Sequence, residues 1–190
     1  MIIGLCGHQG AGKSTVCETA INIVSPTGKP FARIGFSDPL YKMLEAMGIP
    51  GEIVHNKKRW EEPLDILCGR STRFACDKLG NDYGREIIGK YVWTRLGIER
   101  ARALNKQGYH VIIDNVRYEN EAKAIIDNGG VIISFEAIVS VDFNKPSERE
   151  IPGIQIYQCK YAFMNTKKDL EQDAIKFASL LDKIVKECDK

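Results

Sequence analysis

The run Gly7-His8-Gln9-Gly10-Ala11-Gly12-Lys13-Ser14 constrains this chain more than any other stretch. It fits G-x-x-x-x-G-K-[ST] without a mismatch, with apolar Ile2, Ile3, Leu5 and Cys6 ahead of it and Val16, Cys17 and Ala20 at helical spacing behind it. That context is a buried strand, a tight loop and a helix in succession. A loop that wraps phosphates must turn sharply and aim successive N–H groups inward, which needs glycine where a Cβ would collide. The helix opening near Lys13 adds the positive end of its dipole. Gly7, Gly10, Ala11, Gly12, Lys13, Ser14 and Thr15 are therefore expected to hold the phosphates of a nucleotide. In this reading Lys13 reaches the β- and γ-phosphate oxygens, the Ser14 hydroxyl ligates Mg²⁺, and Thr15 lies near the α-phosphate. The competing reading, a glycine-rich turn with a solvated lysine, does not account for the strand and helix on either side.

A length of 190 residues suits one domain with a buried core and room for one inserted lid or subdomain. Apolar residues at 44% and charged residues at 27% describe an ordinary globular chain. The net charge of +2 is too small to argue for bulk binding to nucleic acid or membrane and leaves room for local basic pockets for small anions, so partners are argued from sites. Six scattered cysteines with no C-x-x-C pair suggest neither a zinc site nor a disulfide framework. No charged segment with a long apolar run precedes the first strand, and no stretch approaches membrane-spanning length, so a cytoplasmic setting is expected.

Along the chain, Ser25-Pro26-Thr27-Gly28-Lys29-Pro30 reads as a turn, and Phe31, Ala32, Ile34 and Phe36 as a second strand. Asp38 or Ser37 can cap the next helix, with Leu40, Met43, Leu44 and Met47 as its buried stripe. Asp38 is either that cap or a ligand beyond a strand's carboxyl end, where substrates bind in open parallel sheets. Residues 48–62 read as a polar loop with Trp60 as a packing anchor, and 66–107 as mostly helical, interrupted at Gly80 and Gly89. Several arginines lie in that helical region. Fixed guanidinium forks suit a phosphate, but spacing does not say which of them serve.

His110-Val111-Ile112-Ile113-Asp114 is an apolar run ending in a carboxylate, the acid a phosphate loop needs behind its metal; the plainer alternative is a helix cap. Arg117 follows three residues later, placed to reach the same cleft. Glu119 and Glu121 open a helix with Ala122, Ile125 and Ile126 apolar; Val131, Ile132, Ile133 and Phe135 form the next strand. Residues 140–152 read as the mobile loop, Ile154, Ile156 and Tyr157 as a weak last strand, and Leu170, Ala174, Phe177, Leu181 and Ile184 as one face of a final helix. The expected class is α/β: a P-loop NTPase three-layer sandwich, with a central parallel sheet, helices on both faces and a helical substrate or lid region. One domain, 1–190, would contain a helical acceptor-binding region at 38–108 and a lid region near 136–160.

With these residues in hand, the chain resembles the deoxynucleoside monophosphate kinases, best known from bacteriophages. Phe36-Ser37-Asp38-Pro39-Leu40 looks like the family's Phe-Ala-Asp-Pro-Leu, and Arg73, Asp77 and Gly80 like its Arg, four positions, then Gly-Thr. Arg85 and Trp93 fall where the family has arginine and tryptophan. Asn115-Val116-Arg117-Tyr118-Glu119-Asn120-Glu121-Ala122 resembles Asp-Val-Arg-Phe-x-Asn-Glu-Ala, and Pro146-Ser147-Glu148 and Asn165 resemble late family positions. The departures are Asn81 for threonine, Asn115 for aspartate with Asp114 one position earlier, and a lysine displaced by one to Lys42.

The resemblance implies transfer of the γ-phosphoryl of ATP to a deoxynucleoside 5′-monophosphate. Lys13, Arg117 and Mg²⁺ on Ser14 and Asp114 would stabilise the transferred group, while Arg73 and Arg85 clamp the acceptor phosphate. Asp38, Lys42, Asp77, Gly80, Asn81, Trp93 and Glu121 would shape the acceptor site, with Asn165 near adenine and a lid excluding water. The expected partner is a small nucleotide, with no nucleic acid and no membrane; a homodimer stays open. Two rivals remain: another small-molecule P-loop kinase laid out like dephospho-coenzyme A kinase, and a GTP-binding switch, from Asp77-Lys78-Leu79-Gly80 and Asn165-Thr166-Lys167-Lys168-Asp169.

Overall fold

In the computed structural model the elements run β1 (Ile2–Cys6), α1 (Lys13–Val24), β2 (Phe31–Ile34), α2 (Asp38–Ala46), α3 (Gly51–Val54), β3 (Pro63–Leu64), β4 (Arg70–Ser71) and α4 (Thr72–Asp77). A π-helical stretch, Lys78–Ile88, continues α4 and is followed by α5 (Val92–Lys106), β5 (His110–Val116), α6 (Glu119–Asp127) and β6 (Val131–Glu136). Last come α7 (Pro146–Arg149), α8 (Ile151–Tyr157), β7 (Tyr161–Met164) and α9 (Leu170–Cys188). The structure describes residues 1–24, 28–144 and 146–188. The turn expected from Ser25 lies, for its first three residues, outside them.

Two compact units divide the chain: Met1–Gly35 with Gly97–Lys190, and Phe36–Leu96. The first is built on a five-stranded sheet in the order β2-β5-β1-β6-β7, with every pairing parallel. A parallel strand covered on both faces buries every side chain, and β1 does so along its whole length. Ile3 and Leu5 of β1 join Val16, Cys17 and Ala20 of α1 and Ala174, Phe177, Leu181 and Ile184 of α9 in one core. Its centre is an aromatic triad, with ring centroids 5.1 Å apart for Phe135 and Phe163, 5.6 Å for Phe135 and Phe177, and 4.9 Å for Phe163 and Phe177. Strand alternation turns Gly4 to the other face, where it has no Cβ to collide with Ile125 of α6, and α8 packs beside α6 there. Helices on both faces of a parallel sheet are the three-layer α/β sandwich that the sequence predicts.

The second unit gathers Leu40, Leu44, Ile49, Ile53, Val54, Trp60, Cys76 and Trp93 into its own core. Trp60 is the anchor expected, its indole N–H donating to the Val54 carbonyl at 2.8 Å. The surrounding 48–62 segment is not the irregular loop predicted: Pro50 and Gly51 open α3, which buries Ile53 and Val54. Gly80 does not interrupt the helical run, which passes through it and stops at Gly89. A small antiparallel pair, β3 with β4, precedes that run, too short to leave any periodicity in the sequence.

Other boundaries also move. Phe36 lies beyond β2, and Met47, Ile126 and Leu170, expected on buried stripes, are 49%, 43% and 45% exposed. Residues 154–157 form part of α8 rather than a strand, with Ile151 and Ile154 fully buried, and the last strand is β7 instead. The loop expected to reach Pro152 is thus cut short by α8. Among the described residues all six cysteines are free thiols, and no helix is long and apolar enough to cross a membrane.

Phe177 fills the centre of the first core, so Phe177→Ala should cost about 3–5 kcal/mol, whereas exposed Ile126→Ala should stay within about 0.5 kcal/mol. Urea unfolding of the two variants measures both; equal losses would contradict the assigned faces.

Candidate active site

The glycine loop runs from the end of β1 into α1, where its close contacts explain its composition. A Cβ on Gly7 would stand 2.1 Å from the Phe135 carbonyl oxygen, so only glycine lets the chain leave β1 against β6. Gly12 has φ +85, and a Cβ there would come within 2.4 Å of Asn165 Nδ2. Asn165 is buried and donates to the Ala11 carbonyl at 2.7 Å, so it supports the loop from behind. Its own turn is held by Asp173, 1% exposed, which accepts from the Thr166 N–H at 2.9 Å, the Thr166 hydroxyl at 2.8 Å and the Lys167 N–H at 3.2 Å.

Lys13 is 6% exposed and folds its ammonium back onto the loop, donating to the Gly7 carbonyl at 2.6 Å and the His8 carbonyl at 2.8 Å. Burial, and then the Arg117 charge, push its pKa down to about 8, against the pull of Asp114 and Glu148.

Ser14 lies at the start of α1, and its hydroxyl donates to Asp114 Oδ2 at 2.6 Å. Asp114 is 5% exposed within β5, which continues to Val116, so the acid sits inside the strand rather than at its last residue. The sequence reading missed Arg33 of β2, whose guanidinium donates to the same Asp114 oxygen at 2.6 Å and pairs with Glu18 at 2.6 Å. Burial opposes the charge on Arg33, yet Asp114 and Glu18 hold its pKa above the ordinary value. A hydroxyl and a carboxylate within one hydrogen bond of each other form an all-oxygen donor set, which fits Mg²⁺ completed by phosphates and water. Among the described residues no group of three His, Cys, Asp or Glu side chains could hold a metal ion without such help.

Arg117 follows β5 and pairs with Glu148, which is 2% exposed. Glu148 also accepts from His8 Nδ1 at 2.9 Å and from the Gln9 N–H at 3.2 Å. Burial works against its charge, but the His8 hydrogen bond, the Arg117 charge and the Gln9 N–H hold its pKa below the ordinary carboxylate range. Glu121, expected near the acceptor, is buried and accepts from the Arg117 N–H at 2.9 Å and the Tyr118 N–H at 3.2 Å, fixing the turn that presents Arg117. Thr15, next to Ser14 in sequence, is exposed on α1.

The predicted acceptor residues lie in the second unit. Arg73, Asp77, Asn81 and Arg85 are spaced by four along the run from α4 into the π-helix. An α-helix overshoots one turn at that spacing and a π-helix undershoots it, so the change of helix type keeps all four on one stripe. The neighbouring stripe, Thr72, Cys76, Gly80 and Gly84, is the buried one. Arg73 Nε donates to Asp77 at 2.8 Å, and Arg85 Nη1 to the Lys90 carbonyl at 3.4 Å. Trp93 is 5% exposed and donates to the Gly80 carbonyl at 2.8 Å, so Trp93 and Gly80 act as packing partners beneath the stripe. Asp38 opens α2 after Ser37, which makes no side-chain cap, and Lys42 lies exposed on the same helix.

Strand order and loop define the class by its fold, the P-loop three-layer sandwich, with Lys13, Ser14 and Asp114 gathered at the loop. The chain is similar to a protein of Acanthamoeba polyphaga mimivirus provisionally named as a deoxynucleotide monophosphate kinase, 28% identical over 169 residues, 83% of this chain and 85% of that one. The resemblance read from the sequence is thus shared by an independent comparison. No family model matches. Among solved structures, shikimate kinase from Acinetobacter baumannii in complex with shikimate aligns over 96% of this chain and 93% of that one, at 15% identity and a TM-score of 0.43, too distant to argue from.

Because the folded pKa of Lys13, about 8, lies below the ordinary 10.5, the unfolded chain binds more protons between those values. The contribution of this group to stability therefore rises with pH across that window. Relative to Lys13→Met, the nucleotide-free wild type should gain stability from pH 8 to 10.5 in urea titrations; a constant difference would contradict the buried ammonium.

Proposed function

We propose that this protein transfers the γ-phosphoryl of ATP to the 5′-phosphate of a deoxynucleoside monophosphate, giving the diphosphate. The observation that carries the donor half is the 2.6 Å contact between the Ser14 hydroxyl and buried Asp114, with the Lys13 ammonium held at the loop. The acceptor half is supported by the stripe of Arg73, Asp77, Asn81 and Arg85 and by the name of the mimivirus relative.

The loop N–H groups and Lys13 bind the donor phosphates, and Asn165 and Asp173 keep the loop in shape. Ser14 and Asp114 would hold Mg²⁺, which when bound would supply positive charge to offset that of the donor phosphates. Arg33 fixes the carboxylate. Arg117 meets the charge that spreads over the transferred group, and Arg73 and Arg85 hold the acceptor phosphate in planar, bidentate fashion. The acceptor needs no strong base, because the second pKa of a phosphate monoester is about 6 and the dianion dominates at neutral pH. Catalysis is positioning and electrostatics. The switch-protein reading loses ground, since its D-x-x-G lies within a helical run and its Asn165 is spent on the Ala11 carbonyl.

Coupled turnover of ATP with each of the four deoxynucleoside monophosphates is the test. At least one should be phosphorylated, and Lys13→Ala should abolish that turnover while leaving the chain folded. Failure of all four with folded protein would sink the assignment.

A further inference from the structure

Glu148 has no part in the transfer as described, yet it is buried and bonded to three partners near the loop. Each oxygen has separate work: Oε1 meets Arg117, and Oε2 takes His8 Nδ1 at 2.9 Å and the Gln9 N–H at 3.2 Å. The His8 carbonyl in turn accepts from Lys13 Nζ at 2.8 Å. A continuous bonded path therefore runs from the Lys13 ammonium through His8 and Glu148 to the Arg117 guanidinium. Phe143 makes a T-shaped ring contact with His8, with centroids 5.9 Å apart.

We propose that Glu148 is a positioning residue that holds Arg117 beside the first turn of the phosphate loop, so that the arginine meets the terminal phosphate of a bound triphosphate. The inference rests on the reading that the loop binds a nucleoside triphosphate. Three features carry it. A carboxylate buried to 2% and tied to the loop backbone is a fixed post rather than a mobile counter-ion. It engages Arg117 through one Nη, which leaves other guanidinium N–H groups for an anion. Its charge also offsets the repulsion between Arg117 and Lys13, letting two cations share one phosphate site.

An arginine held for the terminal phosphate contributes to triphosphate binding and little to diphosphate binding. The test is equilibrium titration of the full chain with ADP and with the non-hydrolysable β,γ-imido analogue of ATP, each with Mg²⁺, in wild type, E148Q, R117A and the double variant. Wild type should prefer the triphosphate analogue, and E148Q should lose about tenfold of that preference, as expected for a charge-assisted contact. ADP affinity should stay within about twofold. The double variant should match R117A, because Glu148 acts through Arg117.

If E148Q does not fold, as a thermal melt would reveal, E148D retains the charge with a shorter reach and should show an intermediate loss of preference with ADP binding unchanged. Equal weakening of both nucleotides, no change, tighter triphosphate binding in E148Q, or additive losses in the double variant would each overturn the proposal. So would a wild type that does not distinguish the two nucleotides. None of these readouts involves an acceptor, so failure to phosphorylate deoxynucleoside monophosphates would leave them standing.

Discussion

The burial of one ammonium organises the first unit. Lys13 is withdrawn from water and bonded to the carbonyls of Gly7 and His8, so the loop that should receive phosphates is held open around a cation with a depressed pKa. Burying such a group is costly, and a bound anion would offset that cost. Nearby charges act on it in both directions: Asp114 and Glu148 draw it toward protonation, Arg117 opposes them, and Arg33 donates to the Asp114 carboxylate.

The scaffold was legible where burial is two-sided. Runs such as Ile2 to Cys6 and His110 to Asp114 lack polar alternation because both faces are covered, and that reads directly as parallel sheet. Legibility failed where pattern is short or shared. Ile154, Ile156 and Tyr157 alternate over too few residues to separate strand from helix, and burial of Ile151 with Ile154 at helical spacing decides for helix. Met47 and Ile126 sit at the margins of their stripes, where an apolar residue can face solvent at little cost.

The site divides the same way. The loop with Lys13 and Ser14 was readable as a candidate site because its motif fixes residue type at fixed spacing, and Asp114, 100 positions from Ser14, because it closes an apolar run. Arg33 and Glu148 were not, since they act across 81 and 140 positions of sequence on Asp114 and His8, and only the fold brings them there. Glu148 stood inside the Ser-Glu resemblance without a role. Trp93 and Glu121, expected at the acceptor site, also have supporting roles that residue identity alone did not show, through their hydrogen bonds to the Gly80 carbonyl and to the Arg117 and Tyr118 N–H groups. The π-helix that aligns Arg73, Asp77, Asn81 and Arg85 leaves no sequence signature beyond the spacing of four.

The central claim is that a phosphoryl group passes from the nucleotide in the loop to a phosphate acceptor rather than to water. Mass spectrometry of a reaction containing ATP labelled with ¹⁸O in its γ-phosphoryl and a mixture of deoxynucleoside monophosphates follows that group directly. The account predicts the label in the β-phosphate of a deoxynucleoside diphosphate. Label recovered solely as inorganic phosphate, or left in ATP, would contradict it.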